Sequence, residues 1–203
     1  MNYVSTRGDN KKRTFSEAVL EGLADDGGLL VPESLPDFSQ EWPKWKDLPY
    51  DELAFRVLEP LASDLPEGAL RKCCSSAYGE SYGGPVAPLR SVGQFHLLEL
   101  FHGPTLAFKD FGARFMAQCL SQLNKEANEP ITILTATSGD TGAAVAHAFH
   151  GIDNINVVIL FPKGKISPLQ EKLFTTLGDN IHTVAVEGDF DACQHLVKES
   201  FDD

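Results

Sequence analysis

The sequence has no long hydrophobic run. Its longest purely aliphatic or aromatic stretch is Val157–Phe161, far short of a membrane span. The opening residues, MNYVSTRGDNKKRTF, contain no apolar core of a secretory signal. Four cysteines are present, Cys73, Cys74, Cys119 and Cys193, and none forms a CxxC pair, so a structural zinc site is not expected. Neither GxGxxG nor the GK[ST] of a Walker A loop occurs, which removes the fingerprints of dinucleotide and P-loop sites. Basic residues are scarce: 17 Lys and Arg stand against 29 Asp and Glu, a net charge of −12. Such a chain repels phosphodiester backbones, so nucleic acid is not an expected partner. Internal repeats, heptads and low-complexity tracts are also missing. With no export signal, reduced thiols and a cytoplasmic location follow as the expectation.

What remains is a globular composition, 42% hydrophobic and 23% charged over 203 residues, enough for one large domain or two small ones. Residues 1–90 hold both tryptophans and most prolines and have weak periodicity. In that region Tyr3–Thr6 reads as a short strand. Thr14 followed by Glu17 is a capping box for a helix running to about Leu23. A turn at Asp26-Gly27-Gly28 leads through Leu29-Leu30-Val31 into Pro32, and a second helix is expected over Asp51–Leu61. Residues 32–49 and 79–88 read as loops.

Residues 91–203 are more regular. A strand is expected at Phe95–Leu100 and a helix at Ala107–Glu126, where Phe111, Phe115, Cys119 and Leu123 recur at helical spacing. Then come strands at Ile131–Thr137, Asn156–Phe161 and Ile181–Val186, separated by helices at Gly142–Phe149 and Pro168–Leu177, with a last helix at Phe190–Phe201. Strands recurring with a helix between them are the βαβ pattern of a parallel α/β sheet.

Three segments carry candidate chemistry. In TATSGDTG, residues 135–142, a strand feeds a glycine-containing loop that opens a helix. The free amides there, with the hydroxyls of Ser138 and Thr141, suit an anion; an ordinary strand-to-helix turn capped by Asp or Thr is the plain alternative. In HGPTLAFKDF, residues 102–111, Lys109 stands among Leu106, Ala107, Phe108 and Phe111 at a helix start. An apolar setting and a positive helix end disfavour an ammonium ion in general, and a lysine kept partly neutral forms Schiff bases with carbonyls. A snorkelling surface lysine is the plain alternative there. In FPKGKISPLQ, residues 161–170, Lys163, Lys165 and Ser167 form a local basic patch where open α/β sheets bind ligands, or else a solvated loop. Cys119 falls on the apolar stripe of its helix and reads as core, and His147 and His150 suit a helix end.

The segments HGPTLAFKDFGARFMAQ, TILTATSGDTGAAVAHAFHG and VVILFPKGKISPLQEKLFTTLG, with the opening YVSTRG and FSEAVLEGLADDGGLLVP, resemble the threonine synthase family. The resemblance runs from about Tyr3 to Asp203 and is weaker across 35–90. It implies the tryptophan-synthase-β-like fold of pyridoxal-phosphate enzymes, with residues 1–90 as the mainly helical N-terminal region and 91–203 as part of the catalytic domain. The implied reaction converts O-phosphohomoserine and water to threonine and phosphate, with pyridoxal 5'-phosphate as cofactor. The same resemblance makes Lys109 the cofactor-bearing lysine, its motif completed by Asp110 and Phe111. It makes Ser138, Gly139, Asp140, Thr141 and Gly142 the loop that cups the substrate carboxylate beside the cofactor, and Lys163, Lys165 and Ser167 part of substrate-phosphate recognition. Many relatives of this fold carry Asn where this chain has Asp140. Family chains are much longer, and their second half supplies the cup for the cofactor phosphate. The expectation is therefore an N-terminal part that is inactive by itself. A non-catalytic cofactor-binding remnant and another β- or γ-replacement pyridoxal enzyme are the alternatives.

Overall fold

The computed structural model describes residues 1–125 and 129–201. The chain divides into two compact units, Met1–Ser81 with Gln118–Leu123, and Tyr82–Ala117 with Asn124–Asp203. No helix among the described residues is long and apolar enough to cross a membrane.

In the first unit, β1 (Tyr3–Ser5) pairs antiparallel with β2 (Leu30–Pro32), Val4 opposite Val31. Helix α1 (Phe15–Glu21) starts at the expected capping box: Thr14 Oγ1 accepts the Glu17 amide at 3.2 Å, and Glu17 Oε2 accepts the Thr14 amide at 2.7 Å. It ends at Glu21, two residues short of Leu23, with Gly22 as the C-cap donating its amide to Ala18 O. Helix α2 (Tyr50–Leu58) lies over the expected segment and ends three residues early.

Helix α3 (Glu67–Tyr78) was not expected. Its buried residues Leu70, Cys73, Cys74 and Ala77 follow an i, i+3, i+4, i+7 stripe. That stripe is legible once cysteine is counted as an apolar residue rather than as a thiol. Phe55 of α2 is buried against it, with the Arg71 guanidinium 3.7 Å from its ring centroid. Helix α4 (Lys109–Leu123) is shorter than predicted, beginning at Lys109; the expected last residue, Glu126, lies outside the described residues. Its residue Cys119 is fully buried, as the apolar stripe implies. A hydrogen bond with Cys73, together with burial, pushes the Cys119 thiol up, and burial pushes Cys74 up to about 12. All four cysteines are free thiols.

In the second unit, β3 (Leu89–Val92) and β4 (Phe95–Leu98) form an antiparallel hairpin across the Gly93-Gln94 turn. The strand expected at Phe95–Leu100 is present and ends two residues early. It pairs with its immediate predecessor, because a two-residue connection permits only antiparallel pairing.

The parallel sheet is β5 (Ile131–Ala136), β6 (Ile155–Pro162) and β7 (Ile181–Val186), in the order β5-β6-β7. Ile131 stands opposite Ile155, and Val157 opposite Ile181. Helix α5 (Asp140–Phe149) joins the first pair and α6 (Pro168–Thr175) the second, and α7 (Phe190–Glu199) returns to pack on β5 and β6. The central strand β6 is the core: Ile155, Val157 and Ile159 are fully buried. Small residues Ala143, Ala144 and Ala146 let α5 approach closely, while Phe149 and Phe174 fill the space that remains. Because the strands are parallel, the segments after Ala136, Pro162 and Val186 all leave from one edge of the sheet.

Candidate functional site

That carboxyl edge is where the Ser138–Gly142 loop forms, and its organiser is Thr137. The side chain is buried, and its Oγ1 accepts the amides of Gly139 at 2.9 Å and Gly142 at 2.8 Å. The Thr137 amide in turn donates to Leu160 O of β6 at 2.9 Å, so the loop is anchored to the central strand. Gly139, rather than Asp or Thr, is the N-cap of α5, with φ +140° and no side-chain cap. This corrects the capping expectation: the hydroxyl of Thr137, the residue just after β5, does the work of the cap.

Two glycines are required here. At Gly139 the positive φ is one reason, and a Cβ would also lie 2.6 Å from Gln170 Nε2. At Gly142 a Cβ would lie 2.5 Å from Thr137 Cγ2 and 3.0 Å from Ile159 Cγ2, so α5 could not approach β6. The first turn of α5 leaves the amides of Asp140 and Thr141 without intrahelical acceptors, at the positive end of the helix. Ser138 and Asp140 are exposed and Thr141 half-buried. This bare, donor-rich turn fits an anionic group.

The basic patch sits along the same edge. Lys163 follows β6, its amide bonded to Val186 O at 3.0 Å, and its ammonium is 2.5 Å from Glu187 Oε1 in an exposed ion pair. Lys165 is exposed and has no carboxylate partner among the described residues. Ser167 is the N-cap of α6, accepting the Gln170 amide at 3.3 Å. The Ser167 hydroxyl donates to Gln170 Oε1 at 2.7 Å, and Gln170 Nε2 donates to Asp140 Oδ1 at 2.8 Å. The structure thus brings Ser167 and the Ser138–Gly142 loop together through Gln170, a residue that sequence reasoning did not single out. Its signal was the S-x-x-Q spacing of Ser167 and Gln170 at a helix start.

Lys109 is the first residue of α4 and shares no hydrogen bond or ion pair with that edge among the described residues. The expected apolar enclosure is not present here. Leu106 is 71% and Phe108 62% exposed, and the partly exposed Lys109 ammonium lies 4.7 Å from the centroid of the Phe108 ring. Of the neighbouring apolar residues, Ala107 is the one that is buried.

The backbone before Lys109 is tightly held. Asp110 is fully buried, its carboxylate accepting the Thr105 hydroxyl at 2.7 Å and the Thr105 amide at 2.9 Å. Leu106, between them, has φ +60°, a conformation that bulky residues rarely adopt and that persists only where the surroundings impose it. Phe111 packs on Tyr82 with ring centroids 5.5 Å apart. The lysine therefore presents an accessible amine on a fixed piece of backbone, which fits attachment of an aldehyde. His150 caps the end of α5 and its Nε2 lies 3.0 Å from Asp179, away from the carboxyl edge.

Comparison with known proteins matches this unit to a defined class. Residues 86–203 match the family described as pyridoxal-phosphate dependent enzyme, and the chain belongs to that family. Residues 2–78 match the family described as threonine synthase N terminus. Among curated proteins, the chain is 52% identical over 206 residues to threonine synthase of Escherichia coli and 51% identical over 205 residues to that of Serratia marcescens. Both alignments cover 100% of this chain and 46% of the relative, so the chain spans about half the length of the curated relatives it matches. Among solved structures, a pyridoxal-phosphate-bound threonine synthase from Brucella melitensis superposes with a TM-score of 0.92 at 41% identity. It covers 100% of this chain and 45% of that one. The Escherichia coli threonine synthase structure superposes with a TM-score of 0.86 at 48% identity, covering 46% of that chain.

Proposed function

We propose that this chain is the N-terminal part of a threonine synthase, which forms L-threonine and phosphate from O-phosphohomoserine and water. The observation that carries the reading is the carboxyl edge of the β5-β6-β7 sheet. There a donor-rich loop and a basic segment converge, in a chain about half identical over its whole length to threonine synthases.

In this reading Lys109 carries the cofactor aldehyde, and the Ser138–Gly142 loop lies beside the cofactor. Bound pyridoxal 5'-phosphate supplies an electron sink for negative charge at the substrate α carbon. Lys109, once released by substrate, takes and returns protons at the α and β carbons. The hydroxyls of Ser138 and Thr141 and the first amides of α5 receive the substrate carboxylate, charge meeting the positive helix end. Lys165 faces the leaving phosphate and stabilises charge as it develops, and the Ser167 hydroxyl joins it by turning its one proton from Gln170 Oε1 to a phosphate oxygen. Lys163 joins them after exchanging Glu187 for phosphate. The leaving group departs as inorganic phosphate, and the water that adds at the β carbon becomes the threonine hydroxyl. Free thiols at all four cysteines suit the reducing cytoplasm, where we place the protein.

Two experiments test this reading. Borohydride reduction of the chain mixed with pyridoxal 5'-phosphate, followed by peptide mapping, is expected to place the pyridoxyl group on Lys109. Labelling of other lysines with Lys109 unmodified overturns the assignment. A chimera in which this chain replaces the matching part of the Escherichia coli enzyme is expected to restore growth of a threonine auxotroph, and its Lys109→Ala variant is not. Growth supported equally by that variant refutes the reading.

A further inference from the structure

Gln170 stands at the third position of α6, where a glutamine in a capping box turns back to the N-cap amide. Here its carboxamide leaves that role and reaches across to α5. Nε2 donates to Asp140 Oδ1 at 2.8 Å, and Oε1 accepts the Ser167 hydroxyl at 2.7 Å. The space it occupies is the space a side chain at Gly139 would need, since a Cβ there would lie 2.6 Å from Nε2 and 2.7 Å from Cδ. The carboxamide therefore lies directly over the N-cap of α5 and ties the head of that helix to the N-cap of α6. Thr137 holds the loop through the Gly139 and Gly142 amides. Together Thr137 and Gln170 hold the loop at Gly139, Asp140 and Gly142.

We propose that Gln170 is a positioning residue for the ligand-binding loop. It holds Ser138–Gly142 in one arrangement and links the carboxylate-receiving loop to the phosphate-facing Ser167 segment. This rests on the functional reading of the loop given above. The physical reason is geometric. A short loop of small residues has several accessible conformations, and a donor set that must meet a carboxylate is effective only when held in place. A hydrogen bond to a charged acceptor is the stronger kind. One amide spanning Asp140 and Ser167 also makes any shift of one segment felt by the other.

The test is hydrogen exchange of the purified chain, read by peptide mass spectrometry, for the parent, Gln170→Met, Asp140→Ala and the double variant. Methionine keeps the length and removes both hydrogen bonds. Gln170→Met is expected to raise exchange in the 137–142 segment roughly tenfold, the loss of one charge-assisted bond. Asp140→Ala is expected to do the same, and the double variant to add little to either. Gln170→Glu, which sets a second carboxylate against Asp140, covers the case in which the methionine variant fails to fold, and is expected to loosen the segment further. Exchange that rises within α6 while 137–142 stays at the parent level overturns the proposal, because Gln170 would then serve only its own helix. Additive effects of the two single variants overturn it as well. Borohydride labelling of Lys109 in the same variants separates the two ideas: loss of labelling in the parent chain counts against the functional reading, whereas unchanged loop exchange in the variants counts against Gln170.

Discussion

Replacing Thr137 by Val removes the hydroxyl that orders the loop and leaves the shape of the side chain almost unchanged. Both amides it serves, Gly139 and Gly142, belong to buried residues, and Thr137 itself is 1% exposed. Each buried donor left without an acceptor costs about 1–3 kcal/mol. Two such losses, with partial relaxation of the loop toward water, amount to about 3 kcal/mol, a large share of a stability on the order of 10 kcal/mol. Thr137→Ser is the control. It keeps the hydroxyl and gives up one buried methyl, for about 1 kcal/mol. Urea unfolding read by circular dichroism measures both. With a slope near 2 kcal/mol per molar, the valine variant is expected to lose about 1.5 M in midpoint and the serine variant about 0.5 M. A valine variant as stable as the serine variant refutes the argument, because packing of the Thr137 methyl would then outweigh the two hydrogen bonds.

Further outcomes follow from the same structure. Gly142→Ala places a Cβ against Thr137 and Ile159, so the overpacking cost of about 1–3 kcal/mol exceeds the helix-propensity gain of about 1 kcal/mol. The variant is expected to unfold at lower urea, and a rise in midpoint contradicts this. Asp64 accepts the amides of Phe15 at 3.2 Å and Ser16 at 3.0 Å at the start of α1. Burial pushes its carboxyl up, but the hydrogen bonds from Ser16 and Thr14 outweigh burial and hold it below its ordinary value. A depressed carboxyl contributes stability above its unfolded value, lost as pH falls through the lower folded value. The midpoint is thus expected to fall on acidification below about pH 4, and less steeply in Asp64→Asn; equal slopes refute the assignment. Cys74 and Cys119 are buried and pushed up as thiols. Iodoacetamide at neutral pH is expected to spare both in the folded chain and to modify them in urea, and rapid native labelling of either contradicts their burial.

The alternation of β5, α5, β6, α6, β7 and α7 was legible in the sequence because strands and helices there bury opposite faces on a regular period, and each segment's pattern suffices to name its type. The capping box at Thr14 and Glu17 was legible for the same reason: both partners lie within one turn of chain. Candidate residues Lys109, Ser138–Gly142, Lys163, Lys165 and Ser167 were legible as residue types at the ends of these elements. Helix α3 was hidden by its cysteines, which complete the apolar stripe only when they are counted as apolar residues rather than as thiols.

Other features had no local signal, because they depend on groups brought together by folding. The pairing of β4 with β3 depends on which strand is nearest, not on the composition of β4. Thr137 becomes the anchor of the loop only when two glycine amides turn back onto it. Lys163 meets Glu187 only because β6 and β7 run parallel and end together, 24 residues apart in sequence. Gln170 reaches Asp140 across 30 residues because Gly139, lacking a side chain, leaves room for its carboxamide. Periodicity and caps are properties of a few consecutive residues, so the sequence determined them by itself. The donors, acceptors and empty volume that shape the candidate site come from separate elements, and only the tertiary structure decided which of them meet.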